Sequence, residues 1–278
     1  MMRGRVSTIV VIARRDLVDC LQNRRLWISA GAIVVLGVLL ARVSASAAGY
    51  SSLGGYGRSA ASLVNLLFLF VPLLGLSMGA AALVHDKERA TLGYLLAQPV
   101  SVGEVYAGKA IGASAALCAM LLVGLGVFGA VLAASGVGGA ANSVVGLSVF
   151  ALLLGLSCLA LGMAIGAVAR RSSTSTPIVL GAWVLLAFLF DLAYAAAAIA
   201  WRPSPSILLA GILLDPLEVF RIAAISWMHG SAGIVGPVGE LADHVLGASI
   251  LPVFAGILAA WCIAAHAVGY VILRRWRP

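Results

Sequence analysis

Charge is scarce in this chain. Of 278 residues, 10% are Asp, Glu, Lys or Arg, against 62% hydrophobic, and the mean hydropathy is +1.10. Soluble domains carry about 25% charged residues, so that class is excluded. Cysteine is sparse too. Cys20, Cys118, Cys158 and Cys262 are scattered with no C-x-x-C pair, which indicates neither a disulfide framework nor a zinc site. Acidic residues number 10 against 18 Lys and Arg. The +8 excess lies on no polar domain, so a nucleic-acid-binding face is not expected.

Long apolar runs are what the chain has in quantity. Six are long enough to cross about 30 Å of hydrocarbon as helices: Leu26–Val43, Ala60–Val84, Lys109–Ser135, Ser143–Ala169, Pro177–Ala200 and Val245–Leu273. Lipid offers the backbone no water, so these runs are helices rather than open strands. The expected fold is an all-α integral membrane protein of six transmembrane helices, one domain over residues 1–278. The first run has no A-x-A cleavage pattern before a soluble domain, so it reads as an uncleaved span.

Lys and Arg set the orientation. With the N-terminus inside, six lie in the tail to Arg25, three in the Val84–Lys109 loop, two at Arg170–Arg171 and three at Arg274, Arg275 and Arg277, which is 14 of 18. Only Arg42, Arg58, Arg202 and Arg221 fall outside. The expectation is a multi-pass inner-membrane protein with both termini cytoplasmic.

Three segments between the runs carry the polar residues. Residues 1–25 read as an interfacial elbow helix, with Arg15 and Asp19 at i,i+4, an apolar side from Ile9, Leu17 and Leu21, and Trp27 as anchor. Residues 85–105 form the loop between the second and third runs. Asp86, Lys87, Glu88 and Arg89 stand there in succession, followed by Leu92, Leu95 and Leu96 at helical spacing. An amphipathic helix at a membrane surface suits docking onto a soluble motor. Ser101-Val-Gly-Glu104 fits a capping box that opens the third span. Residues 201–246 form a polar outer region whose helices are expected on the outer surface or against a partner. Asp215-Pro216 fits an N-cap followed by Pro at the first helical position of a helix to about Met228. Glu218 pairs with Arg221 on it, and Leu217, Phe220, Ala224 and Trp227 make an apolar stripe.

Several patterns invite sharper chemistry. Gly103 to Lys109 satisfies G-x-x-x-x-G-K but Ala110 stands where a Mg²⁺-binding hydroxyl belongs, and no strand precedes it, so nucleotide binding is not expected. Gly75-Leu-Ser77-Met-Gly79 matches the G-x-S-x-G nucleophile elbow. With His266 it would make an intramembrane serine hydrolase, provided the two side chains come within about 2.6–3.2 Å. The competing reading makes Gly75 and Gly79, like Gly162 with Gly166 and Gly108 with Gly112, helix-packing surfaces of a tight bundle or a dimer face. Asp191 is the acidic residue deep in a span, so it is expected to face a cavity or partner, with Arg42 or Arg58 as candidate pair. The Met and His residues, including Met228-His229, do not recur at ligand spacing within the spans, so no metal site is assigned.

Glu88-Arg-Ala-Thr91-Leu92-Gly-Tyr-Leu95-Leu96-Ala-Gln-Pro99-Val-Ser101, followed by Glu104 and Gly108-Lys109, resembles the E-R-x-x-G/T-T-L-x-x-L-L-x-x-P-V-S loop of ABC-2 type permeases. Ala13 to Leu17 and Asn23 to Arg25 are similar to that family's elbow helix. Ala61-Ser-Leu-Val-Asn65 and Asp215-Pro216-Leu-Glu-Val-Phe220-Arg221 are similar to segments of the nitrous-oxide-reductase maturation permeases within it. The resemblance implies a non-catalytic homodimeric permease with no cofactor of its own, ATP and Mg²⁺ being held by a cytoplasmic ABC ATPase. It further implies a periplasmic maturation partner and a role in copper-centre assembly. Asp86, Lys87, Glu88, Arg89, Leu92, Tyr94, Leu95 and Leu96 would meet the ATPase. Asp215, Glu218, Phe220, Arg221 and Trp227 would meet the periplasmic partner. A generic ABC-2 exporter of lipid, drug or polysaccharide is the alternative, and needs no outer partner.

Overall fold

The computed structural model describes residues 2–22, 24, 27–28, 31–32, 34–39, 52–91, 93–94, 100–134, 140–201, 204–229 and 237–275. Among them there is no strand. Helix α1 (Met2–Leu21) is followed by four long rods: α2 (Ser52–Glu88), α3 (Val102–Ala134), α4 (Ala140–Val168) and α5 (Ser172–Val184), the last continued through a π turn at Leu185–Leu189 into α6 (Phe190–Trp201). Then come α7 (Pro205–Leu213), α8 (Pro216–His229), α9 (Pro237–Leu246) and the long α10 (Ile250–Arg275).

Among the described residues, five stretches are long and apolar enough to cross a membrane: Leu63–Glu88, Val102–Ala130, Val144–Val168, Ser172–Ala197 and Ile250–Arg275. They match the last five predicted spans. Of the predicted first span, Leu26–Val43, residues 27–28, 31–32 and 34–39 are described and helical, and Gly37 sits against Phe128; the rest lies outside the described residues. Helices α2 and α3 extend past the hydropathy limits, which stopped at Val84 and Lys109. Charged side chains there find partners inside the bundle, so the helices need not end where charge begins.

Helix α4 is the central post, packed against α2, α3, α8 and α10. Its contact with α2 is a seam of glycines. A Cβ on Gly75 would come within 2.7 Å of Gly155 O, and one on Gly166 within 2.6 Å of Ala80 O. Gly79 and Gly162 meet Leu159 and Leu76 backbone even more closely. The expected packing surface thus serves the bundle interior, where only glycine lets two backbones touch. Gly108 and Gly112 do the same for α3 against α1, meeting Ile12 and Ala13. Ser157, fully buried, bonds Leu258 O at 2.8 Å and ties α4 to α10.

The α7–α8 pair corrects the expectation of helices lying on the outer surface. Trp261 Nε1 donates to Leu213 O at 3.4 Å, and Trp261 stands about 17 Å along α10 from its start at 1.5 Å per residue. Helix α8 then climbs back, since Trp227 near its end covers Gly146, early in α4. The two helices are therefore a hairpin dipping into the bundle with its tip at Leu214–Asp215. Leu217, Val219, Phe220, Ile222, Ala223 and Ala224 are all fully buried. So apolar a helix has more to gain inside than on a wet surface. Irregular backbone at such depth is tolerated when protein surrounds it.

Candidate coupling site

The charged run begins inside a helix. His85 to Glu88 form the last turn of α2, which breaks at Arg89–Ala90, where Ala90 takes a left-handed φ of 56°. Of the four charged residues Asp86 and Lys87 are half-buried, while Glu88 and Arg89 are exposed. Asp86 binds Lys109 Nζ at 2.5 Å, and Lys109 also binds Asp16 of α1 at 3.1 Å. Lys109 itself is 2% exposed. This node ties α1, α2 and α3 together at one end of the bundle. Burial pushes the Asp16 carboxyl up from its ordinary value, with Lys109 opposing. Burial likewise raises the nearby Cys20 thiol to about 11, so it stays protonated and inert.

Lys87 reaches across to α4. Its ammonium donates to the carbonyls of Gly166, Ala167 and Ala169 at 2.6–3.0 Å. These are the orphan acceptors at a helix C-terminus, where a cation is favoured by the dipole. Glu88 crosses to the next helix and accepts from Ser172 N at 2.5 Å and Ser172 Oγ at 2.7 Å, which caps α5. Two side chains from one turn thus close both ends of the α4–α5 connection.

Of the residues assigned to the ATPase, Glu88, Arg89 and Tyr94 are exposed, Tyr94 by 68%. Leu92, Leu95 and Leu96 lie outside the described residues. The capping box is present as expected: Ser101 N donates to Glu104 Oε2 at 2.8 Å and Glu104 N to Ser101 Oγ at 3.2 Å. On α1, Arg15 and Asp19 pair at 3.8 Å as expected, both well exposed. Trp27 closes the helix by donating to Leu21 O at 2.7 Å.

A second charged cluster sits on the hairpin. Arg221 of α8 reaches Glu218 at 3.1 Å and Asp191 of α6 at 3.7 Å. Asp191 thus has a partner on the α7–α8 hairpin; the side chains of Arg42 and Arg58 lie outside the described residues. The guanidinium also stands 5.9 Å over the Phe68 ring. Asp215 caps α8 through Leu217 N at 2.9 Å, as its place before Pro216 foretold. Its other oxygen, Oδ2, is buried with no hydrogen-bond partner. Burial raises the Asp215 carboxyl from 3.8 to about 6 and Glu218 in the same direction. Of the five residues assigned to an outer partner, Asp215 and Phe220 are buried in this chain's own bundle, Glu218 and Arg221 are partly covered, and Trp227 is exposed.

The hydrolase reading finds no support in the geometry. Ser77 lies mid-helix in α2 and donates to Leu74 O at 3.0 Å, while His266 Nδ1 faces the Tyr106 hydroxyl at 3.1 Å. No strand-to-helix turn exists at Ser77 to make an elbow. Among the described residues no group of three His, Cys, Asp or Glu is placed to hold a metal ion.

Sequence reasoning missed the Lys109 node. Lys109 and Asp16 are 93 positions apart. The one available signal was a lysine seven residues inside an apolar helix, which must find an anion or leave the membrane.

Comparison with known proteins gives a consistent picture. Residues 10–276 match the family described as ABC-2 family transporter protein. The chain is 32% identical, over 98% of its length and all of the relative's, to a protein of Pseudomonas aeruginosa named "Probable ABC transporter permease protein NosY". It is 29% identical, over 95% of its length and 97% of the relative's, to a protein of the same name from Stutzerimonas stutzeri.

Proposed function

Because this chain belongs to the ABC-2 transporter family and is its permease subunit, we propose that it couples a separate cytoplasmic ATPase to work at the opposite face of the membrane. The basic end of the bundle is the cytoplasmic one, with both termini there, in accord with 14 of 18 Lys and Arg. The first apolar run supplies the sixth span. Two copies of the chain form the permease, each bearing one ATPase, and ATP and Mg²⁺ stay on that partner.

The observation that carries this reading is the Lys109 node. The segment 89–101 hangs between the end of α2 and the start of α3, and Lys109 joins both to α1. Lys87 and Glu88 add α4 and α5 from the same turn. A push on 89–101 is therefore shared by five helices as a rigid-body shift. Arg89 and Tyr94, with Leu92, Leu95 and Leu96, make the ATPase contact. Asp86, Lys87 and Glu88 transmit it.

At the other face, the α7–α8 hairpin carries the movement outward. Trp227 and Arg221 meet a periplasmic partner; Asp215, Glu218 and Phe220 fix the hairpin in the bundle. The two relatives named NosY and the segments at Asn65 and Asp215–Arg221 support a role in copper-centre assembly of nitrous-oxide reductase.

The test is gentle purification of the chain from its native membrane, with identification of what accompanies it. An ATPase together with a periplasmic protein supports the maturation reading. An ATPase alone favours a generic exporter, and neither would overturn the coupling role. Arg89→Glu with Tyr94→Ala should abolish ATPase copurification while leaving membrane insertion intact. Normal copurification of that variant would move the contact elsewhere.

A further inference from the structure

A groove of about 500 Å³ opens on the flank of the bundle between α5 and the pair α4–α10. Its walls are apolar, with Leu161 and Val168 from α4, Ile178 and Leu185 from the α5 rod, and Trp261 and Ile272 from α10. From Trp261 to Ile272 the slot runs about 17 Å at 1.5 Å per residue. One leaflet of a bilayer core about 30 Å thick has nearly that depth.

The mouth at the basic end differs in character. Val168 and Ile272 line the groove there, and the next residues outward on those chains are Arg170, Arg171, Arg274 and Arg275, all exposed. The nearby acid is Glu88, whose two oxygens are held by Ser172. Four exposed arginines thus stand two or three residues beyond the groove lining, against the one acid Glu88.

Two occupants suit an apolar slot in a membrane, a lipid or a second copy of this chain. A second copy would have to bring anions to the arginines. Yet each acidic side chain described at that end is engaged internally: Asp16 and Asp86 by Lys109, Asp19 by Arg15, Glu88 by Ser172 and Glu104 by Ser101. A phospholipid brings its own phosphate. We propose that this groove binds an anionic glycerophospholipid, with an acyl chain between α5 and α10 and the phosphate on the arginine rim. Basic pockets between transmembrane helices recognise anionic headgroups in this way, and guanidinium is suited to grip phosphate with two parallel hydrogen bonds.

Trp261 lies in the groove and supplies the probe. The full chain is placed in phosphatidylcholine nanodiscs doped with phosphatidylglycerol or phosphatidylcholine brominated on the acyl chains. The Trp261 signal is obtained by difference from Trp261→Phe. Brominated phosphatidylglycerol should quench it at lower mole fraction than brominated phosphatidylcholine. Replacing Arg170, Arg171, Arg274 and Arg275 by Gln should erase that preference, by up to about fivefold per arginine. Ala182→Phe keeps the rim and fills the slot, so it should abolish quenching by either lipid and covers the case in which the quadruple variant misfolds. Equal quenching by both headgroups would overturn the proposal. So would the absence of quenching together with disulfide formation between copies carrying Ile178→Cys, which would give the groove to a second chain.

Discussion

Each end of this bundle holds one cation between two carboxylates, and the two clusters are built differently. At the basic end Lys109 is 3% exposed at its side chain and meets Asp86 and Asp16 at 2.5 and 3.1 Å. At the hairpin Arg221 is 38% exposed, and its reach to Asp191, itself 42% exposed, is 3.7 Å. The first cluster is out of water and bonded to three separate helices. Breaking it leaves charge uncompensated in an apolar place. The second is screened, so its cation matters less, while the covered Glu218 carboxyl and the buried Asp215 that caps the same helix respond to pH. One end is made to hold, the other to yield.

Lys109→Met tests the stronger end and should have the largest effect. Stranding Asp16 and Asp86 should cost about 3–5 kcal/mol, seen as a large fall in thermal unfolding temperature in detergent. Adding Asp16→Asn and Asp86→Asn should restore most of it, since neutral groups of similar shape leave no buried charge. A wild-type transition in Lys109→Met would equate the two ends.

Asp215→Asn tests the yielding end. The folded carboxyl is raised from 3.8 to about 6, so the native state binds this proton more tightly than the unfolded chain. Ionisation therefore opposes folding. The penalty is absent below about pH 4, grows as pH rises through the window to 6, and is complete above it, at roughly 2–3 kcal/mol. Stability of the parent should fall from pH 4 to 7, and Asn should flatten that slope while keeping the cap on Leu217 N. A parallel slope in both proteins would remove Asp215 from the account.

Arg221→Gln should cost less, about 1 kcal/mol at pH 7 and low salt. The effect should shrink in high salt, and again as pH falls below about 7, where the raised Glu218 carboxyl takes up its proton. A loss matching that of Lys109→Met would mean the hairpin cluster is as dry as the node. Arg15→Ala removes an exposed i,i+4 pair at 3.8 Å and should shift stability by less than about 0.5 kcal/mol.

Some of this was readable from local spacing. The Ser101–Glu104 box and the Asp215 cap were legible because each bonds within three residues. The polar segment at the end of α2 was legible as a charged island. Its tertiary bonds were not, because Lys87 and Glu88 find partners about 80 residues away on α4 and α5. The depth of the hairpin was hidden for a related reason. Asp215, Glu218 and Arg221 made its segment look too polar to enter the bundle, whereas those charges are gathered on one side and Phe220 and its neighbours fill the core.

By itself, the sequence determined that this is a helical membrane protein, where the last five spans lie, and which loop carries the family's motif. Those follow from hydropathy and short-range hydrogen bonding, which a linear chain displays directly. Only the tertiary structure decided that Lys109 is a knot among three helices, that Asp191 answers to Arg221, and that α7 and α8 dip inward. Charges buried in a low-dielectric interior must pair with whatever the fold brings near, and distance along the chain says nothing about which group that is.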